Sequence, residues 1–177
     1  MTNNKSKKNI ILVGFMGTGK TAVGTYLADM LGMTFVDTDD VIEQDSGMII
    51  NDIFSDMGEK YFRDLESAAI EKVSKLSKMV VATGGGAVIR YKNIEIMKSS
   101  GIIFRLNATP EVIFQRTSQF NHRPLLQVDD PISQIRDLLE KREEFYSKAD
   151  HTIDTSLLTV EQVADKIAGI YGLNFSS

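Results

Sequence analysis

A glycine-rich loop near the start of the chain carries the clearest chemical signal. Residues 14–21 read Gly-Phe-Met-Gly-Thr-Gly-Lys-Thr, which fits the phosphate-binding pattern G-x-x-x-x-G-K-[ST]. In this pattern backbone N–H groups surround a polyphosphate, while a lysine contacts its outer phosphates and a hydroxyl binds Mg²⁺. The loop therefore predicts a nucleotide site with Mg²⁺ as cofactor, in which Lys20 neutralises phosphate charge and Thr21 binds the metal.

Two acidic residues, Asp37 and Asp39, follow a second apolar segment. Ligands of open parallel sheets lie beyond the carboxyl ends of the strands, and strand alternation would place both side chains on the same side. One carboxylate could then hold the metal or its waters while the other binds a substrate hydroxyl. Alternatively, these acids cap a helix that begins near Asp40, and their spacing leaves both interpretations open.

Three consecutive glycines, Gly84, Gly85 and Gly86, follow a third apolar segment. They would expose backbone N–H groups and admit a ligand without side-chain interference, although a flexible connector is the simpler alternative. Hydrolysing proteins with this type of phosphate loop usually carry an acid at this strand end to hold Mg²⁺. The absence of an acid here favours Asp37 as the carboxylate that acts on the metal together with Thr21.

Four of the seven arginines lie near these segments: Arg63, Arg116, Arg123 and Arg142. Two arginines can hold a carboxylate bidentately, and one on a loop can close over a transferring phosphoryl group. Taken singly, each is more simply a solvated surface residue. Together with the loop and the acids, they favour a site for an anionic substrate.

Apolar strand-like segments alternate with helical patterns along the chain, which predicts an α/β fold with a five-stranded parallel sheet flanked by helices. We expect strands at 10–13, 34–36, 79–82, 102–106 and 152–153. We expect helices at 21–31, 59–76, 110–116, 132–146 and after a capping box at Thr159. Residues 41–58 indicate short inserted helices, and residues 117–130 form a polar stretch without periodicity, which in a compact domain is often functional.

Composition limits the possible partners. The 177 residues suit a single domain, and a net charge of −4 argues against nucleic-acid binding. The absence of cysteine excludes disulfides and thiolate metal sites. The apolar run after Lys8 is too short for a cleaved signal or a membrane span. We expect a cytoplasmic monomer that binds small molecules, with no nucleic-acid or membrane partner.

In order and spacing, these residues resemble the shikimate kinase family over roughly residues 10–160. The matching motifs are Gly14–Thr21, Asp37-Thr38-Asp39, Ile53-Phe54, Gly58-Glu59, Phe62-Arg63 with Glu66, Gly84–Gly86, Arg123-Pro124-Leu125-Leu126 and Arg142. The resemblance implies ATP-dependent phosphorylation of the 3-hydroxyl of shikimate, a step of aromatic amino acid biosynthesis. It implies a P-loop kinase domain spanning 1–177, with a core (9–36, 77–116 and 131–173), a substrate-binding helical insert (37–66) and a mobile lid (117–128).

The resemblance also implies a role for each residue. Lys20, Asp39 and Arg123 would be catalytic, and Thr21 would bind the metal with Asp37 acting through water. The ATP contacts would be Gly17, Thr18, Gly19, Lys20, Thr21 and Ala22, with Arg116 stacking on adenine and Arg123 on the phosphates. The shikimate contacts would be Asp39, Phe54, Phe62, Arg63, Gly84, Gly85, Gly86 and Arg142, the two arginines holding the carboxylate.

Two alternatives remain open at this stage. The chain could be another small kinase that acts on gluconate or a nucleoside monophosphate, because the phosphate loop does not distinguish acceptors. It could instead be a nucleotide-binding regulator without catalytic activity. The retained residues Lys20, Asp39 and Arg123 argue against the regulator.

Overall fold

Five parallel strands form one sheet in the order β2-β3-β1-β4-β5. The computed structural model describes residues 8–118 and 129–173. The strands are β1 (Asn9–Val13), β2 (Thr34–Asp37), β3 (Met79–Ala82), β4 (Gly101–Asn107) and β5 (His151–Asp154). The predicted five-stranded parallel sheet is confirmed. Since β1 is the central strand, the phosphate loop that follows it opens at the middle of the carboxyl edge.

Helices cover both faces of the sheet. They are α1 (Lys20–Leu31), α2 (Thr38–Ser46), α3 (Ile50–Asp52), α4 (Gly58–Ser74), α5 (Tyr91–Ser100), α6 (Pro110–Thr117), α7 (Pro131–Tyr146) and α8 (Val160–Leu173). A π-helix, Ile53–Met57, joins α3 to α4, and a short 3₁₀ turn, Ala87–Ile89, precedes α5. In the described ranges no helix combines the length and apolar character required to cross a bilayer.

The central strand β1 separates two apolar cores. Ile11 and Val13 pack on one face with side chains of α4 and α5. Ile10 and Leu12 pack on the other face with side chains of α1 and α8. Because β1 is buried on both faces, its sequence is a continuous apolar run, as is usual for parallel sheets.

A third cluster fixes the phosphate loop to two helices that lie beyond the sheet edge. Phe15 of the loop is fully buried and packs with Ala108, Ile113 of α6 and Ile135 of α7. This contact holds the loop against the helix that carries Arg142.

The predicted strands agree with the observed strands to within one residue at each end. The capping box is also present, since Thr159 and Gln162 each accept a hydrogen bond from the other's backbone N–H. Helix α5 was missed by the sequence patterns. One of its three buried residues is Asn93, whose amide donates to the Ala87 carbonyl at 2.9 Å. A polar residue on the buried face hides the helical apolar pattern.

Candidate active site

The phosphate loop runs from the end of β1 into α1. Gly14 adopts φ +145°, and a Cβ there would overlap the carbonyl oxygen of Leu106 on β4. Only glycine lets the loop leave β1 this close to the neighbouring strand. Six residues of the loop and the first turn of α1 line one cleft: Met16, Gly17, Gly19, Lys20, Thr21 and Ala22.

Two side chains of the loop interact with its own backbone. The Thr18 hydroxyl is buried and donates to the Phe15 carbonyl at 2.8 Å, so it stabilises the fold of the loop. The Lys20 ammonium donates to the carbonyls of Gly14 and Phe15 at 2.7 and 2.9 Å. These bonds hold its charge at the cleft, where it offsets a small part of the rise that burial causes in the pKa values of Asp37 and Asp39.

Asp37 ends β2 and lies opposite Thr21. Its Oδ2 accepts a hydrogen bond from the Thr21 hydroxyl at 3.1 Å, and its Oδ1 accepts one from the Asp39 N–H at 3.0 Å. The second bond makes Asp37 the N-cap of α2. Strand alternation, from which we predicted that Asp37 and Asp39 lie on one side, does not apply, because α2 begins at Thr38. Both residues still line the cleft.

The pair formed by Thr21 and Asp37 fits a magnesium ion. A hydroxyl and a carboxylate are oxygen donors, which Mg²⁺ prefers. Mg²⁺ is usually held by one or two carboxylates together with water and substrate phosphates. The described part of the chain contains no cluster of three or more acidic, histidine or cysteine ligands. Burial raises the pKa of Asp37, partly offset by its hydrogen bonds.

Asp39 and Glu66 direct buried carboxylate oxygens at Gly84. A Cβ on Gly84 would lie 2.9 Å from Oε1 of Glu66 and 3.0 Å from Oδ1 of Asp39. Within the described residues, neither of these buried oxygens has a hydrogen-bond partner. Burial, followed by repulsion from Asp37 and Glu66, raises the pKa of Asp39 to about 7. Unpartnered buried acceptors of this kind suit the hydroxyl groups of a ligand.

Arg63, on α4, lies against Gly86. Its guanidinium pairs with Glu66 at 2.8 Å and Glu59 at 3.3 Å, and a Cβ on Gly86 would lie only 2.5 Å from it. The guanidinium also lies over the Phe62 ring, 5.2 Å from its centroid. The Phe54 ring lies 4.4 Å from that of Phe62, so the π-helix adds an aromatic wall beside the cation.

Arg142, on α7, lies against Gly85. Its Nη1 donates to the Gly85 carbonyl at 3.3 Å, and its guanidinium lies over the Phe15 ring. Tyr146, one turn later, donates its hydroxyl to the same carbonyl at 2.6 Å. Arg63 and Arg142 thus contact adjacent glycines although they come from helices far apart in the chain. This is the arrangement that a carboxylate clamp requires.

Arg116 lies at the other end of the cleft. It donates to the Gly17 carbonyl at 3.3 Å and, twice, to Thr155 at 3.0 and 2.8 Å. It therefore joins the phosphate loop to the residue that follows β5, while also lining the cleft. Its predicted stacking on adenine stays a prediction. Arg123, predicted to contact the phosphates, lies outside the described residues.

Two residues of the site received no role from the sequence. Glu66 stands one helical turn after Arg63, a spacing that favours an ion pair, and this signal was available. Tyr146 gave no signal, because a tyrosine on the buried face of an amphipathic helix is expected in any core.

Comparison with known proteins agrees with this geometry. A family model described as shikimate kinase matches residues 16–170. A shikimate kinase from Thermodesulfovibrio yellowstonii is 51% identical over 164 residues, which cover 93% of this chain and 95% of that protein. A shikimate kinase from Caldanaerobacter subterraneus is 50% identical over 93% of this chain and 96% of its own length.

Solved structures give the same result. Shikimate kinase from Acinetobacter baumannii, determined in complex with shikimate, has a TM-score of 0.91 at 39% identity and covers 98% of both chains. A gluconokinase from Sinorhizobium meliloti has a TM-score of 0.55 at 19% identity, which indicates a common fold alone. With a family model over most of its length and relatives half identical to it, the chain belongs to the shikimate kinase family.

Proposed function

We propose that this protein transfers the γ-phosphoryl group of ATP to the 3-hydroxyl of shikimate, giving shikimate 3-phosphate and ADP in aromatic amino acid biosynthesis. The observation that carries this proposal is the triple glycine, which borders the phosphate-loop cleft and contacts Arg63, Arg142 and Asp39. Two cations for a carboxylate and one carboxylate for hydroxyls match a small anionic polyol. The relative solved with shikimate bound supports the same acceptor.

The donor half of the proposed site is the phosphate loop. Backbone N–H groups of residues 17–22 bind the phosphates of ATP, and Lys20 turns from its loop carbonyls to the β and γ phosphates. Arg116 contacts the adenine side and Arg123 the transferring group. Thr21 and Asp37, the latter through water, hold Mg²⁺, which when bound neutralises charge on the phosphates.

The acceptor half binds the shikimate carboxylate between Arg63 and Arg142, with the backbone of Gly84, Gly85 and Gly86 alongside. Phe54 and Phe62 pack on the ring. Asp39 binds the hydroxyls and orients the 3-hydroxyl towards the phosphate loop. This assignment accounts for the buried Asp39 oxygen that has no partner among the described residues.

Asp39 serves as the proton acceptor. The 3-hydroxyl oxygen forms a bond to the γ phosphorus as the bond from that phosphorus to the bridging oxygen breaks. ADP leaves with the electron pair of the broken bond, and the hydroxyl proton moves to Asp39. A pKa of about 7 places the carboxyl near the pH of the reaction, as efficient general bases require.

We also propose that the protein is a cytoplasmic monomer and forms one kinase domain. Residues 37–66 would be the substrate-binding insert and residues 117–128 the lid. Both halves of the described cleft are built from a single chain, which supports a monomer. An acidic net charge of −4 supports small-molecule rather than nucleic-acid partners. Light scattering at assay concentration tests the monomer.

The function is tested by ADP release in the presence of shikimate, gluconate or AMP. We expect turnover with shikimate and Mg²⁺ only, and phosphorus NMR should identify the product as the 3-phosphate. Turnover with AMP or gluconate, but not with shikimate, would mean that the acceptor is wrongly assigned. ATP binding without phosphorylation of any acceptor would support a regulator that lacks catalysis.

A further inference from the structure

Tyr146 and Arg142 donate to one carbonyl oxygen, that of Gly85. The Tyr146 side chain is 1% exposed, and its hydroxyl donates at 2.6 Å. Arg142 donates at 3.3 Å, the longer and weaker of the two bonds. The tyrosine hydroxyl is therefore the stronger determinant of where this carbonyl points.

The direction of the Gly85 carbonyl also sets the direction of the next N–H. The described peptide bonds are all trans, and in a trans peptide the C=O and N–H vectors point in opposite directions. Holding the Gly85 oxygen towards α7 therefore turns the Gly86 N–H away from α7. In the part of the chain that the structure describes, the N–H groups of Gly85 and Gly86 donate to no protein acceptor. They remain available to an anion beside the two arginines.

The ring of Tyr146 is itself in contact with the buried arginine of an ion pair whose carboxylate partner is exposed. Arg105 of β4 is 8% exposed and forms two hydrogen bonds with Glu143, at 2.7 and 2.6 Å. Its guanidinium lies over the Tyr146 ring, 5.2 Å from the centroid. Burial raises the pKa of Tyr146 above its ordinary value, so the hydroxyl keeps its proton and remains a donor. The sheet thereby fixes both the ring and the turn of α7 that carries Arg142.

We propose that Tyr146 is a positioning residue for the acceptor carboxylate. Its hydroxyl fixes the orientation of the Gly85–Gly86 peptide, so that the Gly86 N–H, turned away from α7, stays open to an anion held by Arg63, which lies against Gly86. The same hydrogen bond ties the turn of α7 that carries Arg142 to this peptide. This inference rests on the proposed function, because the anion is the carboxylate of shikimate. In this proposal Tyr146 contacts neither ATP nor shikimate, but it determines how strongly the site prefers a carboxylate to an uncharged ester.

Tyr146→Phe tests the inference, with Tyr171→Phe as its matched control. Tyr171 is also buried, and its hydroxyl donates to a backbone carbonyl, that of Lys8, at 2.6 Å. Calorimetry measures the Kd values of shikimate, shikimate methyl ester and a non-hydrolysable ATP analogue. For Tyr146→Phe we expect about a tenfold weaker shikimate Kd and a smaller preference for the acid over its ester. The nucleotide Kd should stay within about twofold.

The control separates positioning from general stability. Tyr171→Phe should lower the Tm comparably and leave all three Kd values unchanged. If Tyr146→Phe behaves in the same way, the positioning role is refuted. Should that variant fail to fold, Glu143→Gln replaces it, since loosening Arg105 should weaken the shikimate Kd about threefold; an unchanged Kd there also refutes the role. A wild-type protein without shikimate turnover refutes the proposed function instead.

Discussion

The phosphate loop and the acceptor side of the cleft obtain their geometry from different kinds of contact. Lys20 donates to carbonyls only six and five residues away, so this cation is positioned within one strand–loop–helix segment. Phe15 and Arg116 join that segment to α6 and α7, but they do not carry the lysine. Arg142 and Tyr146 reach a carbonyl that lies 57 and 61 residues away. The acceptor half therefore depends on how β3, α4 and α7 pack together.

This difference has a consequence for substitutions. A change in the donor half acts on the phosphates directly, because the binding groups are largely the local backbone. A change in the acceptor half can act through packing, because Arg63 and Arg142 are held by Glu66, Phe15 and the triple glycine.

Arg123→Ala is expected to have the largest effect and to fall on the donor half. If Arg123 stabilises the transferring phosphoryl group, its loss should lower kcat by about 10³ or more while ATP binding weakens only slightly. Steady-state kinetics and ATP titration measure the two effects separately. A change confined to KM would show that the residue does not act in the transition state.

Arg142→Ala should remove half of the carboxylate clamp. Because a charge pair is lost, the binding free energy of shikimate should be less favourable by about 2–5 kcal/mol, with nucleotide binding little changed. Arg136→Ala is the control, because Arg136 is on the same helix but exposed, with a 3.5 Å ion pair at the surface. An unchanged shikimate Kd in Arg142→Ala would mean that the clamp is wrongly assigned.

Gly86→Ala tests whether the triple glycine serves substrate binding or the fold. Gly86 has φ −101°, which alanine adopts readily, so the obstacle is the Arg63 guanidinium, 2.5 Å from the new Cβ. Displacing that cation should weaken shikimate binding by about ten- to a hundredfold. Thermal unfolding should change little, because the end of a long side chain can shift.

Gly169→Ala is the control for this substitution, since a Cβ there meets no atom within 4 Å. It should leave shikimate binding unchanged and stabilise α8 slightly. If Gly86→Ala unfolds the protein but the folded fraction binds shikimate normally, the glycine is structural and the acceptor half does not depend on Arg63.

The same contrast explains how much of the site could be predicted from the sequence. The phosphate loop is a contiguous string whose chemistry follows from residue type and spacing. Asp39 was assigned correctly to the cleft, but by strand alternation where a helix is present. Contacts such as Arg105 with Glu143, 38 residues apart, leave no pattern along the chain. The role of Tyr146 could not be predicted for this reason.

Asp39→Asn tests the electrostatic cost of the acceptor half, and its expected effect is the smallest. The pKa of this carboxyl is near its ordinary value of 3.8 in the unfolded chain and about 7 in the folded protein. Between these values the folded state binds more protons, so the contribution of Asp39 to stability falls as pH rises from about 4 to about 7. Above that range the folded protein holds a charged, half-buried carboxylate beside Asp37 and Glu66.

Removing that charge should stabilise the protein at pH 8 by about 1–2 kcal/mol, after allowance for solvent screening, and have little effect near pH 4. Urea unfolding of wild type, Asp39→Asn and the exposed control Asp40→Asn at both pH values measures the difference. A variant that is more stable at pH 8 yet inactive would show that the Asp39 carboxylate destabilises the fold and is nevertheless required for activity. Equal stability of Asp39→Asn and wild type at pH 8 would mean that the carboxylate is solvated, and that burial does not set its pKa.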